Sequence, residues 1–286
     1  MKQSLLNIIF SLISFLIGYG IALSTGLELI QKAIIIAYMI QWIAFIPAYI
    51  FQTEKFYDLT GSITYLTVVI FVSYLSYDAS NNLNIGSIIL ASCILIWTIR
   101  LGSFLFLRIH KAGEDKRFRQ IKPSPTRFFM TWTLQGMWVS ICSMCALTAI
   151  ASRNGVMLNN LFYIGLLIFV VGFLFEIIAD TQKSNFRKDA KNKDQFIQHG
   201  LWSYSRHPNY FGEISLWTGI AVMSFSSLSG TQYLTMISPV FTYLLLVYVS
   251  GVRLLEISGM EKWGHLESYQ KYVRSTPSLF PTYPKR

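Results

Sequence analysis

Residues 154–175 read NGVMLNNLFYIGLLIFVVGFLF, a run of 22 without one charged side chain. About 20 mostly apolar residues in helical form span the hydrocarbon of a bilayer, where a helix satisfies its own backbone groups. Charges resume directly beyond the run, at Glu176, Asp180, Lys183 and Arg187. The stretch therefore reads as a membrane helix whose end emerges among ionised groups. Working outward, six more charge-free runs occur, at 4–24, 33–52, 59–77, 79–99, 128–152 and 214–252. The last is about twice as long as one span, and Ser224-Phe225-Ser226-Ser227-Leu228-Ser229-Gly230 divides it in two. The expectation is an all-α polytopic bundle of about eight transmembrane helices, a single integral-membrane domain over residues 1–286. None of the runs alternates polar and apolar residues as a transmembrane β-strand must. The first run follows Lys2 and ends on a small-x-small site, Ala22-Leu23-Ser24. Its apolar stretch exceeds the 7–15 residues of a signal h-region, so it reads as a retained helix.

The chain is 53% hydrophobic and 13% charged, about half the ~25% charge of soluble domains, yet its net charge is +10. Aromatics at 15% exclude disorder, and three cysteines exclude a disulfide-built scaffold. A soluble nucleic-acid binder spreads its basic residues through the chain, and here they are segregated. Of 24 Lys and Arg, 21 fall on one side of the eight-span arrangement: Lys2, Lys55 and those within 108–127, 183–206 and 253–286. Lys32 and Arg153 fall on the other side, and Arg100 lies inside the fourth span. The positive-inside rule then predicts both termini in the cytoplasm, with 52–60, 108–127, 181–207 and 252–286 forming one cytoplasmic face. Topology and contacts with anionic membrane lipids account for most of these cations without a nucleic-acid partner.

Several features carry no chemistry. Cys142 and Cys145 sit one turn apart in mid-span and read as small packing residues, as does Cys93. No two of the four histidines stand at i, i+4, so no metal site is expected. Neither a G-x-G-x-x-G nor a phosphate-loop pattern occurs, which leaves loops and helix ends as the place for any cofactor.

Ionisable groups within spans are expensive and default to functional candidates. Arg100, Glu176, Asp180 and Glu213 qualify. Glu176, Asp180, Lys183 and Arg187 follow i, i+4, i+7, i+11, one stripe leaving the sixth span, suited to a ligand bearing hydroxyls and phosphates. Arg100, Phe104, Arg108 and Lys111 form a second stripe at the end of the fourth. The densest segment is Gly200-Leu201-Trp202-Ser203-Tyr204-Ser205-Arg206-His207-Pro208-Asn209-Tyr210-Phe211-Gly212-Glu213. Pro208 suits a first helical turn, whose free N–H groups favour anions. Its aromatics can stack a ring, Arg206 can reach a phosphate and Asn209 can read an amide.

That segment resembles the C-terminal signature of the steroid 5α-reductase-like membrane proteins, and the chain is similar to their bacterial, functionally unassigned branch. Thr53-Glu54-Lys55-Phe56-Tyr57-Asp58-Leu59-Thr60-Gly61-Ser62, Gly113-Glu114-Asp115 and Ala179-Asp180-x-Gln182-Lys183 carry the same resemblance. It implies a bacterial inner-membrane enzyme in which NADPH binds from the cytoplasm and reduces a conjugated C=C bond of a lipid or sterol-like substrate. It further implies cofactor roles for Asp180, Arg187, Tyr204, Asn209, Glu213 and Arg253. Arg100, Lys183, Arg206, His207 and Tyr210 join that set from their positions. Reductases of the steroid type polarise the enone carbonyl with a Gln-Glu pair and a Tyr. Here Thr53 separates Gln52 from Glu54, and Trp97 takes the place of the tyrosine. Glu54, Tyr57 and Tyr65 are the candidate catalytic residues.

The isoprenylcysteine-type membrane methyltransferases are also similar, through Arg-His-Pro-x-Tyr and an acidic, aromatic tail. Arg253-Leu254-Leu255-Glu256 and the stretch from Trp263 to Tyr272 fit that pattern, with S-adenosylmethionine as the alternative cofactor. S-adenosylmethionine has no phosphate, so the stripe of cations favours NADPH. Transport predicts two matching halves with broken helices, and no such internal symmetry is present.

Overall fold

The computed structural model describes residues 2–80 and 84–283. Residues 81–83 of the run 79–99, and Lys285 and Arg286 of the basic tail, lie outside the described residues. Among those described, every regular element is helical: α1 (Lys2–Ser24), α2 (Glu28–Ile50), α3 (Tyr57–Ser80), α4 (Ile85–Ala112), α5 (Pro125–Ile150), α6 (Asn160–Lys188), α7 (Pro208–Ser224), α8 (Ser238–Leu244), α9 (Val252–Trp263) and α10 (Glu267–Ser275). Short 3-10 turns connect several of them. Among the described residues, seven segments are long and apolar enough to cross a bilayer: α1, α2, Tyr57–Tyr77 of α3, α4, α5, α6 and Gly230–Trp263. The chain is an integral membrane protein.

The seventh of the eight expected spans corresponds to α7, which has 17 residues, the short end of what crosses hydrocarbon. It stops at Ser224, where the serine-rich break begins, and Phe225–Ser227 forms a 3-10 turn. Helix boundaries elsewhere follow local chemistry. The Asn84 side chain accepts from Ser87 N at 2.8 Å to cap α4, and Gly113 ends that helix with φ 82°. Ser124 caps α5, with Pro125 in its first turn.

The chain divides into two compact units, Met1–Phe162 with Met223–Ser238, and Tyr163–Val222 with Pro239–Arg286. In the first, α5 is the axis, and every residue from Val139 to Ile150 is buried. A helix enclosed on all sides within other helices needs small side chains. Ser140, Cys142, Ser143, Cys145, Ala146, Thr148 and Ala149 supply them. Tyr38 of α2 wedges between α1 and α5, donating its hydroxyl to Ser14 O at 2.8 Å. A Cβ at Gly18 or Gly136 would lie within 3 Å of that tyrosine, so glycine makes the wedge possible.

The second unit is built on α6 and α7. A Cβ at Gly172 would sit 2.6 Å from Leu216 N, and one at Gly212 would sit 2.6 Å from Gly172 O. Backbone meets backbone at this crossing, as small residues permit in membranes. Leu167 and Ile164 of α6 face outward, as lipid contact requires. Beyond α8 the chain makes a turn of π-helix at Leu245–Val249, breaks at Ser250-Gly251 and resumes as α9.

Candidate functional site

The end of α6 and the segment that follows it form a cavity of about 250 Å³ in the second unit. Gly200 begins the wall with φ 62°, a left-handed turn that leaves room for the Gln182 amide against it. Gln182 Oε1 in turn accepts from Leu201 N at 3.0 Å. Trp202 is then fixed at both ends: its Nε1 donates to Ala179 O at 3.1 Å and its carbonyl accepts from the Tyr272 hydroxyl at 2.6 Å. The Lys183 ammonium lies 4.4 Å from the centre of its indole.

Pro208 opens α7, which leaves His207 at the helix entrance, its carbonyl accepting from Tyr210 N and Phe211 N. His207 Nε2 lies 2.7 Å from Glu256 Oε1, and the ring stacks on Tyr210. The same carboxylate accepts from Arg206 Nε at 3.1 Å and pairs with its terminal nitrogen at 2.8 Å. Arg206 also donates to Val273 O and Thr276 O, and its amide to Pro277 O. Ser205 Oγ donates to Leu279 O at 2.7 Å. One arginine thus ties the C-terminal segment to the segment before α7. Burial pulls the His207 imidazole below its ordinary pKa, against the opposing pull of Glu256. A neutral ring that donates from Nε2 to Glu256 presents Nδ1 as an acceptor. Nδ1 is buried, with no hydrogen-bond partner among the described residues.

Four cations, Lys183, Arg187, Arg206 and Lys262, line the cavity against one carboxylate, Glu256. Lys262 is shared with Asp194 at 2.8 Å on the surface. The remaining wall is aromatic, with Phe196 packed on Trp263, Tyr269 and Tyr272. Burial raises the hydroxyl pKa of Tyr269 and Tyr272, so both remain neutral donors.

Of the residues expected from sequence, Lys183, Arg187, Arg206 and His207 meet in this cavity. Tyr210 supports it through the stack on His207, while Tyr204 packs against Tyr283 instead. Asp180 is buried on α6, Asn209 and Glu213 are half-buried on α7, and Arg253 is exposed on α9; none lines the cavity. Arg100 belongs to the first unit, with its guanidinium 5.3 Å from the Phe104 ring centre, and the Arg108 guanidinium lies 6.0 Å from the same ring centre. Sequence reading did not single out Glu256 as a site residue. Its signal was present, since it is the first carboxylate after Glu213.

The candidate catalytic residues lie in the first unit. Glu54 is buried, with Oε2 2.5 Å from Lys122 Nζ and Oε1 accepting from Asp115 N at 2.8 Å. Asp115 is raised by burial but held below its usual range by the hydrogen bonds and charge of Arg117. The Tyr57 hydroxyl donates to Thr131 O at 3.0 Å, and its ring packs on Phe118 and Trp132. Tyr65 is buried and meets Trp97 edge to face, with centroids 5.3 Å apart.

Residues 44–276 match a family model described as "Protein of unknown function (DUF1295)". The chain belongs to the DUF1295 family. It is 42% identical over 65 residues to a steroid 5-alpha-reductase of Gossypium hirsutum, covering 23% of this chain and 25% of the relative. A 3-oxo-5-alpha-steroid 4-dehydrogenase 1 of Rattus norvegicus is 29% identical over 120 residues, 42% of this chain and 41% of the relative. A probable O-methyltransferase of Ustilaginoidea virens is 30% identical over 109 residues, 32% of this chain and 38% of the relative. This DUF1295 chain thus spans between a quarter and about two fifths of the curated relatives it matches. No solved structure matches it significantly.

Proposed function

We propose that this chain is an NADPH-dependent membrane reductase acting on a conjugated C=C bond of a lipid or steroid-like substrate. The observation that carries the reading is the cavity with four cations to one carboxylate and an aromatic wall. That balance suits a ligand with several phosphate charges and flat rings. A space of about 250 Å³ accommodates one end of such a dinucleotide. Lys183 and Arg187 would hold phosphate, and the aromatic side chains would cover a ring. His207 Nδ1 would accept from a ribose hydroxyl or a carboxamide. Glu256 would keep Arg206 and His207 oriented. The bound nucleotide supplies a hydride.

On the substrate side, Glu54 accepts at both oxygens and the Tyr57 hydroxyl is committed to Thr131 O, so both are suited to positioning. Tyr65 is buried beside Trp97 in the same unit. It would hydrogen-bond the substrate carbonyl and stabilise the enolate charge that develops as the β-carbon is reduced. The basic loops would face the cytoplasm. The likeness to a steroid 5-alpha-reductase and a 3-oxo-5-alpha-steroid 4-dehydrogenase supports the same reaction class.

A second reading, S-adenosylmethionine-dependent methyl transfer to a lipid or prenylated thiol, draws on the likeness to a probable O-methyltransferase. The two separate in one experiment on the purified chain in detergent. The reductase reading expects a thermal shift with NADPH that Arg187→Ala diminishes. A shift with S-adenosylmethionine and none with NADPH overturns it.

A further inference from the structure

Asp194 stands where the loop after α6 turns into the cavity wall at Gln195, Phe196 and Ile197. Its backbone is left-handed, φ 64°, a conformation uncommon for a residue with a side chain and best tolerated by Asn and Asp. Two of its oxygens engage the last turn of α9 in the same unit. The carbonyl accepts from Trp263 Nε1, and the carboxylate pairs with Lys262 Nζ at 2.8 Å. The Lys262 ammonium also lies 5.0 Å from the centre of the Trp263 ring. One loop residue thus clasps two neighbouring residues of α9, and both of those line the cavity. The clasp lies on the solvent side. The Lys262 and Asp194 side chains are 50% and 70% exposed, whereas Ile197, Trp202, His207, Tyr269 and Tyr272 of the same wall are buried.

The cations of the cavity differ in how they are held. Arg206 is fixed by Glu256, Val273 O and Thr276 O, and Lys183 sits over the Trp202 indole. Lys262 is held by an exposed carboxylate, and exposed ion pairs contribute little because water and salt screen them. A phosphate group carries more charge than a carboxylate and three strong acceptor oxygens. Inside a cavity walled by aromatic rings it also attracts a cation more strongly than a surface carboxylate does. The flexible four-carbon stem of lysine lets the ammonium turn from one to the other while α9 stays in place. We infer that Lys262 is an exchangeable phosphate ligand, which a polyphosphate entering the cavity takes from Asp194, unfastening the loop around Asp194 as it binds. The inference rests on the reading of this cavity as a site for a phosphorylated cofactor. It deepens that reading by naming the residue that admits the phosphates and the contact that competes with them.

The test reads binding and needs no turnover. Inorganic pyrophosphate is titrated calorimetrically into the full chain in detergent, as wild type, Asp194→Asn, Lys262→Met and the double variant. Asn keeps the shape of Asp and tolerates the left-handed backbone, so Asp194→Asn removes the competing charge alone. It tightens pyrophosphate binding about threefold to fivefold, the range an exposed ion pair commands. In the Lys262→Met background the same substitution changes affinity less than about 1.5-fold. Simple removal of a nearby negative charge would tighten binding in both backgrounds, so persistence of the effect without Lys262 overturns the inference. So does an unchanged affinity of Asp194→Asn, or failure of pyrophosphate to bind the wild type. Hydrogen exchange on the wild type gives a second readout that needs no variant. Pyrophosphate speeds exchange at the amides of Asn192, Lys193 and Gln195, which bond within the loop, while it slows exchange elsewhere in the wall. Slower or unchanged exchange at those three amides overturns the inference. An NADPH thermal shift on the same preparations reports the cofactor reading by itself, so a failed exchange at Lys262 is distinguishable from a failed reading of the cavity.

Discussion

Replacing Glu256 by Gln removes the charge that joins Arg206 to His207 while keeping the side chain's shape. Three contacts converge on this carboxylate: 3.1 and 2.8 Å to Arg206 and 2.7 Å to His207. Hydrogen bonds to charged groups contribute about 1.5–3 kcal/mol each, but they do not add, and the Glu256 side chain is 26% exposed. Arg206 keeps its carbonyl acceptors at Val273 and Thr276, which limits the loss further. We expect about 2 kcal/mol, taken from the local stability of the C-terminal segment that Arg206 ties down. At 1.36 kcal/mol per decade this corresponds to roughly 30-fold faster amide exchange. The backbone N–H groups of Arg206, Thr276 and Thr282 are the reporters, since all three bond within this tie. Hydrogen-exchange mass spectrometry of the detergent-solubilised chain measures it, with the α5 amides as an internal control that stays slow. Exchange of 273–283 within threefold of wild type would refute the idea that Glu256 organises this wall.

Lys122→Met leaves the Glu54 carboxylate, 2% exposed, without its cation and is expected to cost about 3–5 kcal/mol. The Glu54→Gln/Lys122→Met double variant should recover most of that loss in a thermal-unfolding cycle. Gly212→Ala drives a Cβ into Gly172 O and the Glu176 backbone, so a loss of about 1–3 kcal/mol in unfolding stability is expected, against little effect for Gly20→Ala, which meets nothing within 4 Å. His207 has its folded pKa depressed, so the unfolded chain takes up the proton first as pH falls. Its contribution is complete above about pH 6.5 and is lost as pH drops towards the folded value, a slope that His207→Gln should flatten in melting curves taken from pH 7.5 to 5. Single cysteines placed at Lys32 and Arg153 should react with an impermeant thiol reagent from the side opposite to those at Arg119 and Lys193, in whole-cell labelling; labelling from one side refutes the eight-span orientation.

The fold class was legible because membrane insertion acts on local composition. A run such as 154–175 can satisfy its backbone in hydrocarbon only as a helix, whatever its neighbours do. The stripe leaving α6 was legible for the same reason, since i, i+4, i+7 spacing is a property of one helix. The break at Ser224–Gly230 was also visible, although α7 is shorter than a full span of the usual length.

Partnership was decided elsewhere. Glu256 stands 50 residues from Arg206, and only the folding back of α9 and the C-terminal segment makes them a pair. Asp180, Asn209 and Glu213 share sequence neighbourhoods with cavity residues yet lie off its lining: Asp180 sits a turn before Lys183 on the same stripe, and no residue of α7 reaches the cavity. Gln41 donates to Thr64, a pairing between α2 and α3 that only their packing creates. Sequence alone determined that this chain is a helical membrane protein with its cations segregated, since both follow from local transfer energies. Tertiary structure alone decided which charges neutralise one another and which polar atoms remain unmatched, because hydrogen bonds and ion pairs depend on positions to within about an ångström.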